Sequence, residues 1–212
     1  MTRYISALLL CFGLTLTVWS AAGTAAPGSD QDDKPGHVNS LRELPGYVPL
    51  VDPESSAVVL GRRANAPLVR KPFKGGAKSL KELGQMICKV FEDTPKLDSL
   101  MQLTVTEDEF NDILWPEFPQ SRPVTGLKAE DGWRVLYPRL LNGCNSALID
   151  YAGGYWEFLR FDVDSVMKYR NFTLHHGVTM VVRDAAGAET RMNWLRSIAE
   201  RKGRFKIYST KD

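Results

Sequence analysis

The spacing of apolar residues changes once along this chain. Between Ser79 and Tyr151 they recur every three or four positions, and beyond Gly154 they alternate. The first period predicts helices and the second predicts strands. Ser79-Leu80-Lys81-Glu82 is a capping-box sequence: the serine accepts from the third helical amide and the glutamate reaches back toward the cap. Leu80, Leu83, Ile87, Val90 and Phe91 then predict a helix to about Phe91. Thr94-Pro95 supplies an N-cap and a proline at the first helical position for a short helix with Leu97, Leu100 and Met101 inward. A second capping box, Thr106-Glu107-Asp108-Glu109, opens a third helix carrying Phe110, Ile113 and Leu114, which should stop before Pro116.

Residues 115–124, WPEFPQSRPV, are cut by prolines yet hold Trp115 and Phe118, which predicts an ordered loop. A longer helix follows from about Ala129 to Tyr151. Val135, Leu136, Leu140, Leu141, Ala147, Leu148 and Tyr151 lie along one side of it. Pro138 marks a kink or a split there. Residues 155–163 are aromatic and β-branched. Residues 169–183 place Phe172, Leu174, His176, Val178, Met180 and Val182 on one strand face. Asp184-Ala185-Ala186-Gly187 reads as a hairpin turn, and residues 190–200 alternate again with Met192, Trp194 and Ile198. Arg201-Lys202-Gly203 turns the chain into a last strand with Phe205 and Ile207. Helices followed by a strand meander predict an α+β domain: N-terminal helices packed on a curved antiparallel sheet of about four strands.

The first residues follow a different pattern. Arg3 and the amino terminus precede an uncharged apolar run over residues 5–19, and small residues follow, ending at Ala25 and Ala26. That order predicts a secretory signal peptide over residues 1–25, cleaved after Ala25 or Ala22. An uncleaved anchor is the alternative, since a membrane span needs roughly 20 apolar residues. Residues 26–74 are rich in proline, Asp, Ser and Gly, which predicts a disordered or extended arm. Its two apolar pieces, 47–51 and 57–60, can lie against the domain of residues 75–212. The expected location is secreted or periplasmic, with no further span once the signal is removed.

Charge and cysteine content narrow the chemistry. The 27 Lys and Arg nearly balance 25 Asp and Glu, which gives no electrostatic footprint for nucleic acid. Cleavage removes Cys11 and leaves Cys88 and Cys144. In an oxidising compartment the two either form a disulfide or pack as buried thiols. Without a CxxC spacing they make neither a redox motif nor a zinc site. No metal, phosphate or cofactor motif is present, so no cofactor is expected.

The order of elements over residues 79–210 resembles the cystatin-like cone of the nuclear transport factor 2-like superfamily. The stretch TEDEFNDILWPEFPQSRP resembles that of uncharacterised secreted bacterial proteins. The resemblance implies long curved strands closing a pocket around the longest helix. It does not choose an activity, because such cones serve isomerases, dehydratases, hydrolases and non-catalytic binding domains.

His176 is the one polar residue on an otherwise apolar strand face, which would place it in the core or in a pocket. There it would act as a general base or ligand holder, or else as a hydrogen-bonded core histidine. Asp162 and Glu157 are the acids that could join it. Alternation puts Glu157 with Tyr155, Leu159 and Phe161, and Asp162 with Trp156, Phe158 and Arg160. Trp156, Phe158, Trp194 and Tyr151 complete the expected pocket lining, either as a stacking platform or as core. Asn171-Phe172-Thr173 matches a glycosylation acceptor. These features predict a binding or accessory domain with an apolar pocket, taking a small apolar ligand or a protein partner. The alternatives are a small lyase or isomerase using His176 with a carboxylate, and an envelope interaction protein that forms a homodimer through its sheet.

Overall fold

A computed structural model of the chain describes Gly46, residues 61–93 and residues 96–211. The chain divides into two compact units, Met1–Pro49 and Leu50–Asp212, and every element below belongs to the second. The expected export signal, the apolar pieces at 47–51 and 57–60, and the Thr94-Pro95 cap lie outside the described residues.

Helix α1 spans Leu80–Glu92, and its N-cap Ser79 accepts from the Glu82 amide at 3.0 Å. Glu82 reaches one residue further back than a capping box requires and accepts from Lys78 N. Leu83, Ile87, Cys88 and Phe91 form the buried stripe. After α2 (Leu97–Met101), the second capping box closes in both directions. Thr106 Oγ1 accepts from Glu109 N at 3.3 Å, and Glu109 Oε2 accepts from Thr106 N at 2.9 Å. The expected third helix is α-helical only over α3 (Glu107–Glu109). It widens into a π-turn over Phe110–Leu114 and passes through Pro116 in a 3-10 turn, Trp115–Glu117. A proline lacking its amide is tolerated at the start of such a turn, where that donor has no partner. Two more 3-10 turns, Pro119–Ser121 and Pro123–Thr125, repeat the arrangement. Helix α4 then runs unbroken from Ala129 to Tyr151 through Pro138, without the split considered for that position.

Strands β1 (Trp156–Lys168), β2 (Thr173–Asp184), β3 (Glu189–Met192), β4 (Leu195–Arg201) and β5 (Arg204–Thr210) make one curved, open antiparallel sheet. The expected strand at 190–200 is two strands, because β2 changes partners along its length. Met180 to Arg183 pair with β3, whereas Thr173 to His176 pair with β4. Between them Gly177 adopts φ +69°, and the Asp164 carboxyl occupies the place a β-carbon would take. β1 carries a bulge, its register slipping between Phe158 and Arg160. The bulge returns Phe161 and Val163 to the side of Trp156 and Phe158, all of them packed against the core. The opposite face is a charged ladder. Glu157 pairs with Arg183 at 2.9 Å, Arg160 with Asp162 at 3.0 Å, and Arg191 with Asp162 at 2.9 Å.

Residues 61–74 follow the domain without helix or strand, and Ala66 and Phe73 are buried. Side chains, rather than a sheet ladder, satisfy this strap's backbone. Asn171 accepts from Val69 N at 2.8 Å and donates to Pro67 O at 2.7 Å. Arg170 donates to Ala66 O at 2.7 Å, and the Arg201 guanidinium donates to Val69 O at 2.6 Å, to Lys71 O and to Asn171 O. Buried Glu117 orients this group by accepting from the Asn171 and Arg170 amides at 2.6 and 3.2 Å. Further along, Glu109 accepts from Lys74 N at 2.7 Å and pairs with Lys206 of β5 at 2.8 Å. Both side chains are 3% exposed. Buried backbone groups need partners of this kind wherever no regular element supplies them.

Candidate functional site

The residues expected to line a pocket separate into two groups, and neither surrounds one. Phe91 is the hub of the first. Its ring lies 5.8 Å from Tyr151 and 6.1 Å from Trp194, and Tyr151 lies 6.3 Å from Trp156. Trp156 Nε1 donates to Tyr151 O at 2.9 Å, while Trp194 Nε1 has no acceptor among the described residues. Phe158 joins them across α1, where Gly84 leaves room for its ring. These aromatics fill space in the manner of core residues. Only Trp156 and Phe158 reach an open, mostly polar cleft, which they share with Cys88, Glu92 and Tyr155.

His176, Asp162 and Glu157 form the second group, and they do not converge. His176 stands opposite Ser165, in the half of β1 whose last five residues are all exposed, and its ring is exposed as well. Leu174 and Val178, on either side with the same parity, are buried, and Gly177 at φ +69° interrupts the extended backbone beside His176. Asp162 and Glu157 lie together on the outer charged ladder, held by arginines, because the bulge after Phe158 shifts the phase assumed for Asp162. Among the described residues no carboxylate is in hydrogen-bond reach of His176. Its neighbour His175 is the partnered one, with Nε2 3.1 Å from Glu200 Oε2.

Two further expectations change. Cys88 and Cys144 are buried free thiols rather than a disulfide. Cys88 belongs to the stripe of α1, which packs on β1, whereas Cys144 lies on α4, which packs on β5 and α2. Burial pushes each thiol up to about 12, aided at Cys88 by nearby Glu92. Asn171 is buried and uses its amide to hold the strap, so the Asn-Phe-Thr acceptor is structural in this fold.

A more enclosing apolar site lies elsewhere. A cleft of about 720 Å³ opens between the 3-10 turns and the first half of α4, with β5 at its floor. Trp115 and Phe118 from the turns, Leu127, Val135 and Leu136 around α4, and Tyr208 of β5 line it. The proline-started turns fix Trp115 and Phe118 at consecutive corners. Gly132 admits the Trp115 ring against α4, since a β-carbon there would stand 2.5 Å from it. Phe110 meets both Trp115 at 5.9 Å and Trp133 at 5.7 Å, so the wall is continuous with the core. Val135, placed inward by spacing, is 59% exposed, and Leu127 is 50% exposed. Asp131 is the acidic group in the lining. It accepts from Lys128 N at 3.1 Å at the start of α4 and approaches Arg134.

Sequence spacing misses this site because its walls come from three separated segments. One signal in the sequence points to it: the aromatic residues Trp115 and Phe118 inside a proline-punctuated loop.

Comparison of the chain with family models, with curated proteins and with solved structures gives no match. Among the described residues, no cluster of three or more His, Cys, Asp or Glu could hold a metal ion, and no helix is long and apolar enough to cross a membrane.

Proposed function

We propose that this chain is a binding module whose cleft between the proline turns and α4 receives a small, largely aromatic apolar ligand. The observation that carries this reading is the cleft itself. Its volume falls in the range of about 300–1,000 Å³ typical of small-molecule sites, and its walls are predominantly aromatic and aliphatic. Exposed Leu127 and Val135 at its mouth lose area from water when a ligand enters, worth about 25 cal/mol per Å². Catalysis by His176 has no support in the geometry, since Asp162 and Glu157 face away from it in arginine pairs. A sheet-to-sheet dimer lacks an apolar surface: on the strands, large exposed apolar side chains are confined to Val166 and Met167. Export through residues 1–25 and kinship with the cystatin-like cone remain part of the proposal, supported by the apolar run after Arg3 and by helices preceding a curved sheet.

The test is fluorescence of N-phenyl-1-naphthylamine, a neutral aromatic probe, titrated into the protein. Enhanced probe emission with quenching of Trp115 is expected, and Leu127→Asp together with Val135→Asp should abolish both. Binding that survives this double substitution would place the ligand elsewhere, and no binding at all would refute the reading.

A further inference from the structure

Tyr208 brings a phenol into the aromatic walls of the cleft, its ring 5.9 Å from Phe118. The neighbouring hydroxyls of β5 both have protein partners: Ser209 bonds Ser197, and Thr210 donates to Arg139 O at 2.9 Å. The Tyr208 hydroxyl bonds no described residue. Burial raises its pKa, and nearby Tyr169 adds to the effect, so the group stays a neutral donor. Tyr208 is partly exposed, its oxygen is not sealed from solvent, and no described residue claims it. What it offers the cleft is a directed donor.

We infer that the Tyr208 hydroxyl donates a hydrogen bond to the ligand, which assigns the ligand to flat aromatic molecules carrying a carbonyl-type acceptor oxygen. This rests on the cleft being the ligand site. The apolar walls hold the ring system, and the phenol selects molecules that present an oxygen to it. An analogue lacking that oxygen leaves the donor unmatched, which is how a buried polar group discriminates between otherwise similar ligands.

Two probes separate this inference from the reading beneath it. The first is 6-propionyl-2-(dimethylamino)naphthalene, which carries a ketone. The second is 2-(dimethylamino)naphthalene, which lacks it. Each is measured by displacement of N-phenyl-1-naphthylamine from the wild type and from Tyr208→Phe. The substitution should weaken the ketone probe about 2- to 10-fold, the value of one neutral hydrogen bond, and leave the other probe unchanged. The bound ketone should also emit further to the red in the wild type, since a hydrogen bond to its carbonyl stabilises the charge-separated excited state. Tyr208→Phe should unfold at no lower urea concentration than the wild type. Equal affinity and equal emission of the ketone probe in both proteins would overturn the donor role and leave the cleft standing. Equal weakening of both probes would reduce Tyr208 to a wall residue. If neither probe displaces the reporter from the wild type, the cleft reading falls with it.

Discussion

Replacing Lys206 by methionine removes the ammonium from the buried pair that ties β5 to α3. In the intact protein its Nζ stands 3.0 and 2.8 Å from the two oxygens of Glu109. The same carboxylate holds the Thr106 and Lys74 amides at 2.9 and 2.7 Å, so the cap of α3 and the end of the strap depend on it. Lys206→Met leaves a carboxylate that is 3% exposed facing backbone donors alone. Breaking a buried pair from one side costs about 3–5 kcal/mol. In a domain of this size each kcal/mol lowers Tm by about 2–4 °C, so a fall of roughly 6–20 °C is expected. Adding Glu109→Gln removes the stranded charge and keeps an acceptor for one of the two amides, which bond different oxygens of the carboxylate. The double variant should therefore lose less than the sum of the single losses, by at least about 1 kcal/mol in urea denaturation. A loss below about 1 kcal/mol for Lys206→Met, or additive single losses, would refute the view that these side chains are buried as a unit.

Three more outcomes follow from the same structure. The unfolded chain releases its Cys88 and Cys144 protons from about pH 9 and the folded chain from about 12, so stability should fall as pH rises through that window. The slope is at most about 1.4 kcal/mol per pH unit for each thiol. Urea midpoints from pH 8 to 11 measure it, and a flat profile would show that the thiols are not buried. Arg201→Met removes the donors to Val69 O, Lys71 O and Asn171 O, so limited proteolysis should cut within residues 61–74 at a higher rate than in the wild type. An unchanged rate of cleavage there would count against the strap being held by Arg201. Gly132→Ala normally favours a helix by about 1 kcal/mol. Here its methyl meets the Trp115 ring, so tryptophan emission should shift and affinity for N-phenyl-1-naphthylamine should drop.

Much of the fold is legible in the sequence because it rests on local rules. Ser79 and Thr106 start their helices through contacts three residues away, and the Asp184 to Gly187 turn is written in its own side chains, Asp184 Oδ1 accepting from Ala186 N and Ala188 N at 2.9 Å. What sequence reading loses is set by distant partners. One unpaired residue after Phe158 exchanges the faces of Phe161 and Asp162, and nothing in the local alternation marks it. His176 has the parity of a core residue and the exposure of a surface one. The cleft was hidden for a related reason. Trp115, Val135 and Tyr208 are far apart in the chain, and Val135 fits a helix stripe as well as it fits the mouth of a site.

The strap has a further consequence. Its carbonyls and amides are read by Asn171, Arg170 and Arg201 much as a receptor reads an extended peptide, so residues 61–74 behave as a ligand that is covalently attached. Attachment supplies a high effective concentration, and it also fixes whose strap is bound. At high protein concentration after partial denaturation, one molecule's groove can accept the strap of another. The product would be an exchanged dimer with every native bond in place. A free 61–74 peptide, added to a chain shortened to begin at residue 75, would occupy the same groove and report its affinity directly.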